Sequence, residues 1–68
     1  MKIEYDPKAD AMYIRLKSGA IAESDEIRPG LVIDFDADGK LLGIEMLDVS
    51  LQTDNPRELS LSLIGAGE

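Results

Sequence analysis

Residues 31–47 decide the fold: Leu31-Val32-Ile33-Asp34-Phe35-Asp36-Ala37-Asp38-Gly39-Lys40-Leu41-Leu42-Gly43-Ile44-Glu45-Met46-Leu47. Apolar and polar residues alternate with a period of two on both sides of Asp38-Gly39, the pattern of two half-buried strands joined at a tight turn. Asp-Gly is a favoured two-residue hairpin turn. It pairs Phe35 with Leu42, Ile33 with Ile44 and Leu31 with Met46. One face is then wholly apolar, and the other carries Asp34, Asp36, Gly43 and Glu45. Gly43 weakens a strand interior, so it marks a bulge or a close approach of another group to the backbone.

The same alternation extends towards the N-terminus. Ile3 and Tyr5 lie between Lys2, Glu4 and Asp6, and Asp6-Pro7-Lys8-Ala9-Asp10 breaks the strand. Asp before Pro opens turns because Pro pre-sets φ and the carboxylate can bond nearby amides. A loop over 7–10 sets Tyr5 opposite Met12, Ile3 opposite Ile14 and Met1 opposite Leu16, all on one side, while Tyr13 faces Glu4 on the other. A slip of one residue would scatter the apolar set, so the register is well specified. Ser18-Gly19 turns the chain, with Ile21 placed to rejoin the apolar face opposite Leu16. Residues 22–26 read as a polar edge strand or an irregular crossing. Arg28-Pro29-Gly30-Leu31 fits a type II turn with Gly where φ must be positive.

The C-terminal third carries conflicting signals. Val49 and Leu51 continue the alternation. Asn55-Pro56-Arg57-Glu58 has a helix-start pattern, yet Leu59, Leu61 and Leu63 alternate like a strand. One helical turn followed by a final strand, with 65–68 as a frayed tail, is the expectation for this region. The whole of residues 1–68 reads as one small, mainly β domain: an antiparallel sheet of about five to six strands built from hairpins. Its expected core is Ile3, Tyr5, Met12, Ile14, Leu16, Leu31, Ile33, Phe35, Leu42, Ile44 and Met46. Tyr13, Ile27, Val32, Leu47 and Val49 lie off that face and suggest partial cover of the other one.

Composition narrows the chemistry. With neither Cys nor His among 68 residues, disulfides, Cys–His dyads and Ser–His–Asp triads are excluded, and a zinc site is not expected without its usual thiolate and imidazole ligands. A domain this short buries only about 60% of its unfolded surface. Oligomerisation, most simply a homodimer, is the expected source of extra stability. No apolar leader follows Met1, and no run is long enough to span a bilayer, so a soluble cytoplasmic protein is expected. The net charge is −7, and residues 23–48 carry eight acids against two bases. That balance argues against nucleic acid and suits a basic protein partner, a cation, or solubility alone.

Tyr5-Asp6-Pro7, Asp10-Ala11, Tyr13-Ile14-Arg15-Leu16 and Ile44-Glu45-Met46-Leu47-Asp48 together resemble a small prokaryotic family, domain of unknown function 2283. The resemblance covers roughly residues 3–50 and takes in the Pro29-Gly30 turn and the acidic Asp34–Gly39 stretch. It implies a small β-rich fold and no catalytic residues. Some members of that family are regarded as antitoxin-like partners of toxin-like proteins encoded beside them.

Two acidic constellations carry recognisable spacing. Asp34-x-Asp36-x-Asp38-Gly39 followed by Glu45 satisfies a calcium-loop pattern, with alternating carboxylates, a turn glycine and a bidentate acid. Such loops need a helix on each side, whereas this stretch reads as paired strands, so a hairpin with a solvated acidic face is favoured over calcium at Asp34, Asp36, Asp38 and Glu45. Asp6 and Asp10 are read as turn-forming and capping carboxylates rather than an acid–base pair. An active site completed between chains by Asp6, Asp10 and Asp48 is the least favoured reading. The expectation is a non-catalytic protein-interaction module, antitoxin-like towards a basic partner, with a small calcium-binding β domain as the alternative.

Overall fold

The computed structural model describes residues 1–65. Five strands form one antiparallel sheet: β1 (Lys2–Asp6), β2 (Ala11–Arg15), β3 (Glu23–Arg28), β4 (Leu31–Phe35) and β5 (Leu41–Leu47), followed by a single helical turn, α1 (Val49–Gln52). The order across the sheet is β1-β2-β5-β4-β3. Strands β3, β4 and β5 form a meander, and β2 lies beside β5 at the end of a long crossing, a Greek-key arrangement. Three of the expected 65–68 tail residues, 66–68, lie outside the described residues.

Registers follow from alternation. Ile3 pairs with Ile14 and Tyr5 with Met12, while Leu31 pairs with Met46 and Ile33 with Ile44. The β2–β5 pairing sets Ile14 beside Ile44 and Met12 beside Met46. Two rows therefore cross four strands, Ile3–Ile14–Ile44–Ile33 and Tyr5–Met12–Met46–Leu31. On β3 each row ends in a charge, Asp25 for the first and Arg28 for the second.

The pairing of Phe35 with Leu42 is corrected by a bulge. Phe35 pairs with Leu41, and the register shifts between Asp34 and Phe35. The cause lies in the turn. Gly39 N donates to Asp36 O at 3.0 Å and Asp36 N to Lys40 O at 2.9 Å, enclosing Ala37, Asp38 and Gly39. Gly39 has φ 79°, so this is a three-residue loop ending in a left-handed glycine rather than a two-residue Asp-Gly turn. The β5 side carries an extra residue, absorbed as a bulge in which Leu41 and Leu42 share one partner. Gly30, with φ 81°, takes the left-handed position expected after Pro29.

Residues 16–22 cross the hairpin tip. Leu16 N donates to Leu42 O and Ala22 N to Phe35 O, both at 2.9 Å. Lys17 pairs with Asp36. Ile21 does not rejoin the apolar face; it is 45% exposed on the crossing. Strand β3 is the expected polar edge, exposed at every residue.

The C-terminal expectations change most. The helical turn falls at Val49–Gln52 rather than after Asn55, and residues 59–63 have no strand pairing. Asn55 instead holds a local turn, its Oδ1 accepting from Arg57 N and its carbonyl from Glu58 N. The helical turn is fixed from a distance. Val49 N donates to Asp10 O at 3.1 Å, and the Asp10 carboxylate accepts from Ser50 N and Ser50 Oγ. Val49 is fully buried beneath this clamp.

The expected core residues share a face, but among them only Leu42 is fully buried, and the other ten are half-buried. Thickness explains it: the molecule measures 36 × 33 × 18 Å, a single layer. Its radius of gyration is 13.7 Å, against about 11 Å for a compact chain of this length. The bulged Leu42 is enclosed where the crossing passes over it, its Cδ1 lying 3.2 Å from where a Cβ on Gly19 would stand. Leu42→Ala is expected to cost about 2–5 kcal/mol, the usual range for a buried leucine, measured as a shift in urea midpoint at constant slope.

Candidate functional site

The less apolar face of the sheet contains the most unusual chemistry. Two rows cross it: Lys2–Arg15–Gly43–Asp34–Ser24 and Glu4–Tyr13–Glu45–Val32–Glu26. Their centre is a polar cluster of Tyr13 and Arg15 on β2, Asp34 on β4, Glu45 on β5 and Ser24 on β3. Gly43 makes it possible. A Cβ there would stand 2.5 Å from Tyr13 Oη, 2.8 Å from Tyr13 Cζ and 2.9 Å from Ile14 O. The tyrosine phenol lies on the bare backbone of β5, the close approach expected of a mid-strand glycine. Arg15 stacks on the Tyr13 ring at 5.5 Å from its centroid and donates through Nη1 to Gly19 O.

Asp34 is fully buried although charged. Ser24 Oγ donates to its Oδ1 at 2.6 Å, and Asp34 Oδ2 and Tyr13 Oη have no aligned partner among the described residues. Such orphans are costly unless a proton is supplied. Glu45 is the group that can supply one. Its pKa is raised, first by the neighbouring Asp34 carboxylate, then by burial and the Asp34 charge. Burial pushes Asp34 up, but the Ser24 hydroxyl, the neighbouring Glu45 and Tyr13 and the charge of Arg15 outweigh it, and its pKa is lowered. Tyr13 is raised by burial, then by Asp34. The two carboxyls form a pair in which Asp34 is the anion and Glu45 holds its proton into higher pH than usual.

The structure divides the four calcium-loop residues. Asp34 and Glu45 sit in this cluster. Asp36 Oδ1 accepts from Asp38 N and Lys40 N at 2.9 Å, and Lys17 occupies its other oxygen. Asp38 is exposed at the turn. Among the described residues no three Cys, His, Asp or Glu side chains are grouped to hold a metal ion. Asp6 accepts from Lys8 N and Ala9 N. Asp10 accepts from Tyr5 Oη at 2.8 Å as well as from Ser50, and its pKa is lowered first by Ser50 and then by Tyr5. These two are the turn-forming and capping carboxylates expected of them. Asp48 takes a left-handed φ of 52° ahead of α1. Of the residues set off the main face, Tyr13, Val32 and Leu47 share this second face, Ile27 stands exposed at the β3 bulge and Val49 is buried as the first residue of α1. Sequence reading marked Tyr13 and Gly43 separately, but their meeting with Asp34 and Glu45 depends on the β2–β5 pairing, which has no local signal.

A single antiparallel sheet with a charged interior cluster and an apolar opposite face defines a small β domain. Residues 2–50 match the family model described as protein of unknown function (DUF2283), and the chain belongs to that family. Comparison with curated proteins and with solved structures gave no match. Among the described residues no helix is long and apolar enough to cross a membrane.

Two outcomes follow from the cluster. Gly43→Ala should lower stability by about 1–3 kcal/mol, as overpacking does, and Gly43→Ala combined with Tyr13→Ala should recover part of the loss. Because Glu45 is raised, its contribution is complete below its ordinary value of 4.5 and is lost as pH rises through its folded value. Because Asp34 is lowered, its contribution is present above 3.8 and is lost as pH falls through its folded value. Urea midpoints followed from weakly acidic to neutral pH should fall in the wild type relative to Glu45→Gln, whose amide keeps a permanent donor. Parallel curves would show that Glu45 holds no such proton.

Proposed function

We propose that the chain is a non-catalytic protein-interaction module that works as a homodimer and offers its acidic edge to a basic protein. The observation supporting this is β3. It ends the sheet, all six of its residues are exposed, and it carries Glu23, Asp25 and Glu26 against Arg28. Unpaired edges invite another strand, and rows of like charge keep identical copies from using them. A basic chain meets no such repulsion. An antitoxin-like role towards a small basic toxin-like protein is the specific form of this reading, and the cytoplasm its expected setting.

The tagged protein, incubated with lysate of its host, should retain a basic protein at low salt and release it as salt rises, because exposed charges are screened within about 10 Å at 0.1 M. The triple variant Glu23→Gln, Asp25→Asn, Glu26→Gln should retain none. Capture that ignores both salt and these substitutions rejects the proposal.

A further inference from the structure

We infer that the apolar face built on Ile3, Ile14, Ile44 and Ile33, extended by the exposed segment Leu59–Ile64, is where a second copy of this chain packs. The inference rests on the homodimer reading above and names its surface. Domains are ordinarily built from at least two packed layers, because an apolar sheet face must be covered. Here the described residues provide one layer. The helical turn after β5 has four residues and is pinned at the Asp10 end of the sheet. Both isoleucine and methionine rows remain half-buried.

Charge selects the occupant and its approach. Across β1, β2, β5 and β4 the two rows carry no ionised side chain, and charge begins only at Asp25 and Arg28 on β3. The acidic β3 edge opposes pairing of like copies there, whereas the uncharged rows of the flat face offer two identical chains a surface without that repulsion. The contact is isologous, each copy giving the same rows.

Area shows why the tail takes part. Four strands spaced about 4.8 Å and two rows deep offer a flat footprint on the order of 260 Å². A stable interface buries about 800 Å² on each partner. Leu59, Leu61, Leu63 and Ile64 are 72%, 83%, 75% and 98% exposed. Leu59 and Leu61 border a cleft of about 400 Å³ with Met1 and Ile3, so the tail continues the apolar face past β1. Its leucines add the area that the sheet alone lacks.

Sedimentation equilibrium tests this on the wild type, on Ile44→Lys and on Leu61→Asp/Leu63→Asp, with far-UV circular dichroism to check the sheet. The wild type should be a dimer that tightens as salt is added, since salt screens the repulsion between two chains of net charge −7. That sign is opposite to the one expected for a basic partner. Ile44→Lys should be a folded monomer. If it does not fold, the tail variant decides, because its two positions are exposed in the monomer. It should raise the dimer dissociation constant about a hundredfold or more, the equivalent of removing one buried leucine from each of the two chains. A wild-type dimer indifferent to the tail variant overturns this surface while the homodimer stands. A wild-type monomer at every concentration overturns both.

Discussion

The pairing of β2 with β5 is the constraint on which both faces depend. The two hairpins β1–β2 and β4–β5 each have their own register, and nothing local relates one to the other. Once Ile14 lies beside Ile44, the rows Ile3–Ile14–Ile44–Ile33 and Tyr5–Met12–Met46–Leu31 become continuous. The same pairing lays Tyr13 next to Glu45 and its phenol on Gly43. A slip of one residue would turn Met12 and Ile14 to the polar side and drive Tyr13 into the apolar one. Gly43 makes that slip unfavourable in a second way, because only there can the phenol rest on bare backbone. Apolar rows and polar cluster are two readings of one register.

Local signals account for most of the sheet. Period-two alternation placed β1, β2, β4 and β5, and Pro29-Gly30 placed a positive φ. The Asp38-Gly39 pair misled by one residue because it suits both a two-residue turn and the end of a three-residue loop. The difference is decided by Asp36, whose carboxylate accepts from Asp38 N and Lys40 N. The C-terminal region was misread for a non-local reason. Val49–Gln52 is too short to be a stable helix alone, and it forms because Asp10, far away in sequence, accepts its first amides. Leu59, Leu61 and Leu63 have the pattern of a strand but no strand partner, and alternation cannot create one. The cluster of Tyr13, Asp34 and Glu45 was legible only as separate residues, since its assembly requires three strands to be ordered first.

The acids of this chain do three different things, so net charge alone says little about function. Asp6, Asp10 and Asp36 saturate backbone amides in turns and at a helix end, where they take the place of a longer core in fixing loop geometry. Asp34 and Glu45 lie inside the sheet's polar face and hold one another's proton balance. Glu23, Asp25 and Glu26 stand in solvent on the free edge. Of these eight acids, only the last three are available to a partner without undoing the fold. The calcium-loop pattern arises because members of the first two groups happen to be spaced by two residues along one hairpin, although the hairpin sends them to different places.

A sheet whose apolar side is half-covered cannot draw its stability from burial within the chain alone. A domain of this size already buries a smaller share of its surface than larger ones, and here, among the described residues, only Leu42 and Val49 are fully buried hydrophobic residues. The clamp of Asp10 on α1 and the tyrosine packed on Gly43 limit conformational freedom but add little apolar burial. Covering the isoleucine rows is the largest remaining gain open to the molecule. Whatever covers them binds the folded state and not the unfolded one, so folding and association become a single equilibrium governed by concentration. In that case the acidic edge complements the apolar face: it opposes pairing of like copies through β3, while the face-to-face contact is a closed one.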